Sequence, residues 1–310
     1  MNKTLKNPLR GIIPPMVTPL KNPDTLDIGG LERLIEHLLE GGIHGLFILG
    51  STGEAQSLDY ALRYELIEKT CSQVAGRIPV LVGISDTAVS ESLRMAEKAA
   101  KSGAEAVVCA PPYYYLHTQK ELIEYYQYLS GRSPLPLFLY NIPLFTKNPI
   151  EPETVKRIGN DENVIGLKDS SGNPAYFQKV VDLMSDQPAF SLLVGPEEVL
   201  MQSLLTGGHG GVHGGANLFP DLYVDLYEAA VEKDYGKMVS LHKRVLQICS
   251  GIYTVGESEL GYLQGIKTVL SLMGICSSRM SMPFQELPKE QIEVIRERLK
   301  KLDVQNFNLE

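Results

Sequence analysis

The sequence predicts a (β/α)8 barrel with a C-terminal helical extension, and three observations predict it. Eight short apolar runs recur along residues 1–230, each bounded by turn-forming residues. Amphipathic helical patterns separate them, such as GGLERLIEHLLEGG and ESLRMAEKAAKSG, with glycine after the last turn as a stop signal. Three further helical patterns, at 235–249, 259–273 and 289–302, exceed what a barrel needs and make residues 231–310 an extension packed on it. Strands alternating with helices lie parallel, and eight βα units in this length close into a barrel, where an open doubly wound sheet usually has fewer strands.

Taken in order, the first run is GIIPPMVTP (11–19), followed after one helical pattern by GLFILG (45–50), which leads into STGE. PVLVGI (79–84) and AVVCAPP (106–112) come next, then PLFLYNIP (136–143), which carries a Tyr-Asn pair near its end. VIGLKDS (164–170) ends on charge, SLLVG (191–195) precedes PEE, and GGVHGGAN (210–217) closes the series in a glycine-rich run.

Composition narrows the function. The chain has 310 residues, 44% of them apolar, a net charge of −8 and a pI near 5.4. That is ample for a large core, and it provides no basic field for a phosphate backbone, which argues against nucleic-acid binding. No run is long and apolar enough to span a membrane, and the start lacks the apolar stretch of a secretory signal, so a cytoplasmic protein is expected. Cys71, Cys109, Cys249 and Cys276 are widely spaced without a C-x-x-C, the pattern of buried free thiols.

Barrel enzymes build their sites at the C-terminal ends of the strands, so polar residues there are read for function first. Lys168 is the outstanding one. A plain surface lysine would let its stem lie on apolar neighbours and reach solvent. At a barrel mouth it instead loses hydration, which disfavours the ammonium and leaves an amine able to attack a ketone and form a Schiff base. The other lysines sit in turns or helical patterns, Lys147 and Lys267 included. Tyr140, ending the neighbouring strand, could move protons beside it. Ser51 and Thr52 offer hydroxyls and a turn of backbone N–H groups suited to a carboxylate.

GSTGE, YNIP and GLKDSSG, in this order and spacing, resemble the dihydrodipicolinate synthase / N-acetylneuraminate lyase family of pyruvate-dependent class I aldolases, over nearly the whole chain. The resemblance implies that Lys168 is the Schiff-base lysine and Tyr140 the proton donor and acceptor. Ser51 then relays protons to Tyr140, Thr52 binds the pyruvate carboxylate, and Val212 presents a backbone carbonyl near the substrate. Tyr114 best matches the tyrosine that completes the relay from a neighbouring subunit, although Tyr113 and Tyr115 flank it and a one-residue slip would move the assignment. The resemblance further implies a homotetramer of two tight dimers, pyruvate and a small aldehyde as reactants, and no metal or other cofactor.

The aldehyde half is read from four positions. Synthases of this family carry an arginine two residues past the YNIP proline to hold the aldehyde's carboxylate. Phe145 stands there, and a neutral ring cannot replace that bidentate clamp, though Lys147 is near. Glu197 and Glu198 fall where sialate lyases hold acidic residues that accept hydrogen bonds from sugar hydroxyls; they equally suit the start of a helix. Ser170 could bind a hydroxyl or cap a turn, and Gly214 replaces a serine that sialate lyases tend to have. The expected reaction is retro-aldol release of pyruvate from a 2-keto-3-deoxy sugar acid or a related hydroxylated 2-keto acid. 4-Hydroxy-tetrahydrodipicolinate synthesis from pyruvate and aspartate semialdehyde, and N-acetylneuraminate cleavage, are the close alternatives. A catalytically inactive keto-acid sensor is the alternative from another class.

The run GGHGGVHGG (207–215) matches neither a P-loop nor a dinucleotide fingerprint. As a barrel loop after the last strand it could still hold a sugar phosphate. His209 and His213, four residues apart on a strand, would be separated by about 13 Å and so could not share one metal ion.

Overall fold

The computed structural model describes residues 5–255 and 260–301. Its main sheet comprises eight parallel strands: β1 (Gly11–Ile12), β2 (Leu46–Ile48), β3 (Val80–Gly83), β4 (Ala106–Cys109), β5 (Leu137–Asn141), β6 (Val164–Asp169), β7 (Ser191–Val194) and β8 (Gly210–Gly211). From β2 to β8 each strand pairs with the next, and β8 returns to β1 with Gly210 opposite Gly11. The ring closes between β1 and β2 through a bridge from Pro15 to Phe47, with His44 N donating to Ile12 O (2.9 Å) and Met16 N to Phe47 O (2.8 Å). The fold is a (β/α)8 barrel, and each of the eight apolar runs supplies one strand.

The two ends of the ladder are short for physical reasons. Beyond β1, Pro14 and Pro15 have no N–H to donate. In β8, a Cβ on Gly210 would lie 1.9 Å from Gly11 O, so only glycine lets the two backbones approach.

Side chains alternate between two cores. Phe47, Leu81, Val108, Phe138 and Tyr140 point into the barrel, while Ile48, Val82, Val107 and Leu139 face the helices. Burying each aliphatic side chain contributes about 1.5–3 kcal/mol. Strand β6 departs from simple alternation. Leu137 pairs with Val164 but Phe138 with Gly166, so Ile165 is an extra residue in β6, a bulge. Gly166 is needed there because a Cβ would lie 2.4 Å from the Phe138 ring. The bulge shifts the parity of the strand, turning Leu167 toward the helices and Lys168 inward opposite Tyr140.

After the helix Pro220–Val231 come Tyr235–Ile252, Gly261–Leu272 and Lys289–Lys301, which correspond to the three expected patterns. The expected end points Glu259 and Leu302 lie outside the described residues. Gly265 lets the second of these helices press on the first, where a Cβ would meet Ile252 O at 2.5 Å. Among the described residues no helix is long and apolar enough to cross a membrane.

Candidate active site

The pair Tyr140–Lys168 forms the floor of the barrel mouth. Lys168 is 5% exposed, and its Nζ lies 4.1 Å from the Tyr140 ring centre and 4.8 Å from that of Phe47. Burial pulls the amine below the ordinary lysine range, and the neighbouring Tyr140 opposes this only in part. His213, fully buried beside it, donates from Nδ1 to Gly195 O (2.8 Å) and is pushed down to about 4 by burial, so it adds no positive charge near Lys168 at neutral pH. The Tyr140 hydroxyl is 3.5 Å from Ser51 Oγ, the outer limit of hydrogen-bond reach.

Ser51 and Thr52 sit in a sharply bent turn after β2. Leu49 and Glu54 bracket it, both in the left-handed region at φ 58° and 57°. Gly83 leaves room for it, since a Cβ there would lie 2.0 Å from Leu49 O. Thr52 is 7% exposed, and the Tyr262 side chain stands near it. Glu54 is buried, accepting from Lys267 Nζ (2.5 Å), Ser281 N (2.7 Å) and Ser281 Oγ (2.8 Å).

A cavity of about 430 Å³ opens over this floor, within the range of small-molecule sites. Phe47, Tyr140 and Ser51 line it together with Tyr113, Phe145 and Leu263. Among the described residues its wall carries one charged side chain, Glu54, which Lys267 neutralises. Lys147 does not substitute for the missing arginine beside Phe145. It is exposed, and its amine donates to Leu144 O (2.6 Å).

The remaining candidates separate by position. Tyr113 lines the cavity of its own chain, whereas Tyr114 is 86% exposed at φ 95° and Tyr115 is also exposed. Val212 is buried in the barrel interior, its N–H donating to Val194 O (2.8 Å). Ser170 is half-buried against Gly195, and Glu198 is exposed. His209 and His213 serve separate backbone contacts, His209 Nδ1 accepting from Leu192 N (3.0 Å).

Two readings of the sequence need correction. Glu197 does not present its carboxylate to a sugar. It is buried and accepts from Gly215 N (2.7 Å), Tyr253 OH (2.5 Å), Cys249 Sγ (3.3 Å) and Tyr223 OH, so its acceptor sites are occupied. It holds the turn after β8 instead. Lys267, grouped with ordinary helical lysines, is fully buried. What distinguishes Lys168 is therefore not burial alone but burial without a carboxylate partner among the described residues. Sequence reasoning also missed Tyr262 as a neighbour of Thr52. A cue was available in GIKTVL, a lysine within an apolar run like that of GLKDS.

An amine and a phenol facing each other at the mouth of a (β/α)8 barrel, with a hydroxyl-bearing turn beside them, define an enzyme of the pyruvate-dependent class I aldolase type. The chain belongs to the Dihydrodipicolinate synthetase family, whose model matches residues 8–302, and it is a lyase as the resemblance implied. It is 53% identical to dihydrodipicolinate synthase from Bacteroides thetaiotaomicron, with a TM-score of 0.94 over 96% of this chain and 100% of that one. It is 31% identical to the probable 2-dehydro-3-deoxy-D-pentonate aldolase YjhH of Escherichia coli K12, over 92% of this chain and 95% of that protein. YagE, a prophage protein of the same family from E. coli K12 solved with pyruvate, is 30% identical with a TM-score of 0.90, over 94% and 98% of the two chains. Among the described residues no group of three His, Cys, Asp or Glu side chains could hold a metal ion.

Proposed function

We propose that the protein releases pyruvate from a 2-keto-3-deoxy sugar acid or a related hydroxylated 2-keto acid. The Lys168 amine adds to the C2 ketone and loses water to form an iminium. Tyr140, having given its own proton to that departing water, takes the proton of the C4 hydroxyl, the C3–C4 bond breaks, and the aldehyde leaves while the electron pair enters the iminium as an enamine. Protonation at C3 and hydrolysis then free pyruvate and the amine. Thr52 and the turn N–H groups hold the carboxylate. In this reading residues 1–230 are the catalytic barrel, and the four buried thiols support a cytoplasmic setting.

The observation that carries the choice of substrate is the cavity wall. Phe145 stands where a carboxylate-bearing aldehyde would need a cation, the wall has no free positive group among the described residues, and Ser51, Ser85 and Tyr113 supply hydroxyls. The pentonate aldolase relative favours the same reading. The second reading is 4-hydroxy-tetrahydrodipicolinate synthesis, favoured by the 53% identity to the B. thetaiotaomicron synthase. Assaying cleavage of 2-keto-3-deoxy acids and sialate against condensation of pyruvate with aspartate semialdehyde decides between them. Efficient condensation by the wild type would overturn our choice. Phe145→Arg should raise kcat/KM for aspartate semialdehyde about 30-fold, as expected for a charged hydrogen bond contributing about 2 kcal/mol.

We further propose a homotetramer built from two dimers, in which Tyr114 completes the neighbouring subunit's relay. Its 86% exposure and left-handed backbone support this, because strain of about 1–3 kcal/mol at a non-glycine residue is retained where surroundings or function require it. Mixing inactive Tyr114→Phe and Lys168→Ala proteins should restore activity, since one hybrid site has both groups. A mixture that stays inactive after subunit exchange would place Tyr114 in its own chain's site or outside any site.

A further inference from the structure

We infer that the C-terminal helix Gly261–Leu272 sets the geometry of the carboxylate-binding turn, with Tyr262 and Lys267 as positioning residues for pyruvate. This rests on the aldolase reading in one respect, that Thr52 holds the pyruvate carboxylate. The turn itself is under strain. Leu49 and Glu54 both occupy the left-handed region, at about 1–3 kcal/mol each, and such a conformation persists only where contacts from outside fix it.

The barrel supplies one of those contacts, Thr18 Oγ1 donating to Gly53 O (2.7 Å). The extension supplies the others. Lys267 grips Glu54, two residues past Thr52, and Tyr262, five residues before Lys267 on the same helix, stands near Thr52. Lys267 also donates to Arg279 O (2.5 Å), and Ser281 places two more donors on Glu54, so the carboxylate is tied to a segment more than two hundred residues away. Leu263, between the two clamps, lines the cavity, and Ile266 packs against Gly214 in the turn after β8. The helix thus spans the mouth and fixes where the Thr52 hydroxyl points.

The hydrogen bonds of Glu54, Lys267 and Ser281 run among themselves and to Arg279 O, not to Lys168 or Tyr140, so the effect expected of the clamp is on binding. Pyruvate is to be trapped on Lys168 with borohydride, and the pyruvate concentration giving half-maximal trapping measured. In Tyr262→Phe, which removes the hydroxyl near Thr52, it should rise about fivefold, as for one lost neutral polar contact, with an unchanged rate at saturation and a melting temperature near that of the wild type. Glu54→Gln combined with Lys267→Met, which removes both buried charges together, should raise it tenfold or more in protein that still folds. A merely structural role would lower the melting temperature and leave half-saturation unchanged in both variants, which would overturn the inference. No adduct in the wild type would overturn the aldolase reading and this inference with it.

Discussion

Lys168→Met is expected to abolish the borohydride-trapped pyruvate adduct and reduce turnover about 10⁴-fold or more, while melting at a higher temperature than the wild type. The amine is 5% exposed, and burial lowers its pKa with no carboxylate among the described residues to compensate. Methionine fills similar space with no group to desolvate. The sign can be followed with pH. The unfolded lysine titrates near 10.5 and the folded one below that, so between those values the unfolded chain holds the extra proton and wild-type stability rises with pH. Below the folded value the whole penalty is present. The methionine variant's advantage should therefore be greatest near neutral pH, about 2 °C or more, and fade as pH approaches 10.5. Melting curves across this range check it. A variant less stable than the wild type at pH 7 would mean that the amine is stabilised by partners, as Lys267 is by Glu54.

The contrast between those two lysines shows what the sequence could and could not convey. Both lie in apolar runs. Which of them keeps a counter-charge depends on whether a carboxylate meets it, and the partner of Lys267 is 213 residues away. Glu197 was misread for the same reason, since Gly215, Tyr223, Cys249 and Tyr253, its donors, lie 18 to 56 residues downstream. The strands were legible because each apolar run is local, and the positions of Lys168 and Tyr140 on neighbouring strand ends were legible because each lies near the end of such a run. The bulge at Ile165 was not. It arises from the fit of Gly166 under the Phe138 ring, a contact between strands that no pattern within VIGLKDS states.

Tyr140→Phe should separate the two halves of the mechanism. The ring stays, so the edge-to-face contact with Phe47 (6.4 Å between centroids) and the apolar surface under Lys168 are kept, and the fold should be unaffected. The hydroxyl that reaches toward Ser51 is lost, and with it the group placed to take a proton as the carbon–carbon bond breaks. Turnover should fall about 10³-fold, within the span of general acid–base catalysis, while pyruvate is still trapped on Lys168. The amine itself should respond. The Tyr140 hydroxyl opposes the lowering of the Lys168 pKa, so removing it leaves desolvation less opposed and lowers that pKa further. The pH at which adduct forms at half its maximal rate should accordingly move down, opposite to the change expected if the phenol served to deprotonate the amine. Turnover within tenfold of the wild type would remove Tyr140 from the proton-transfer step and shift that role to Tyr113, the other phenol on the cavity wall.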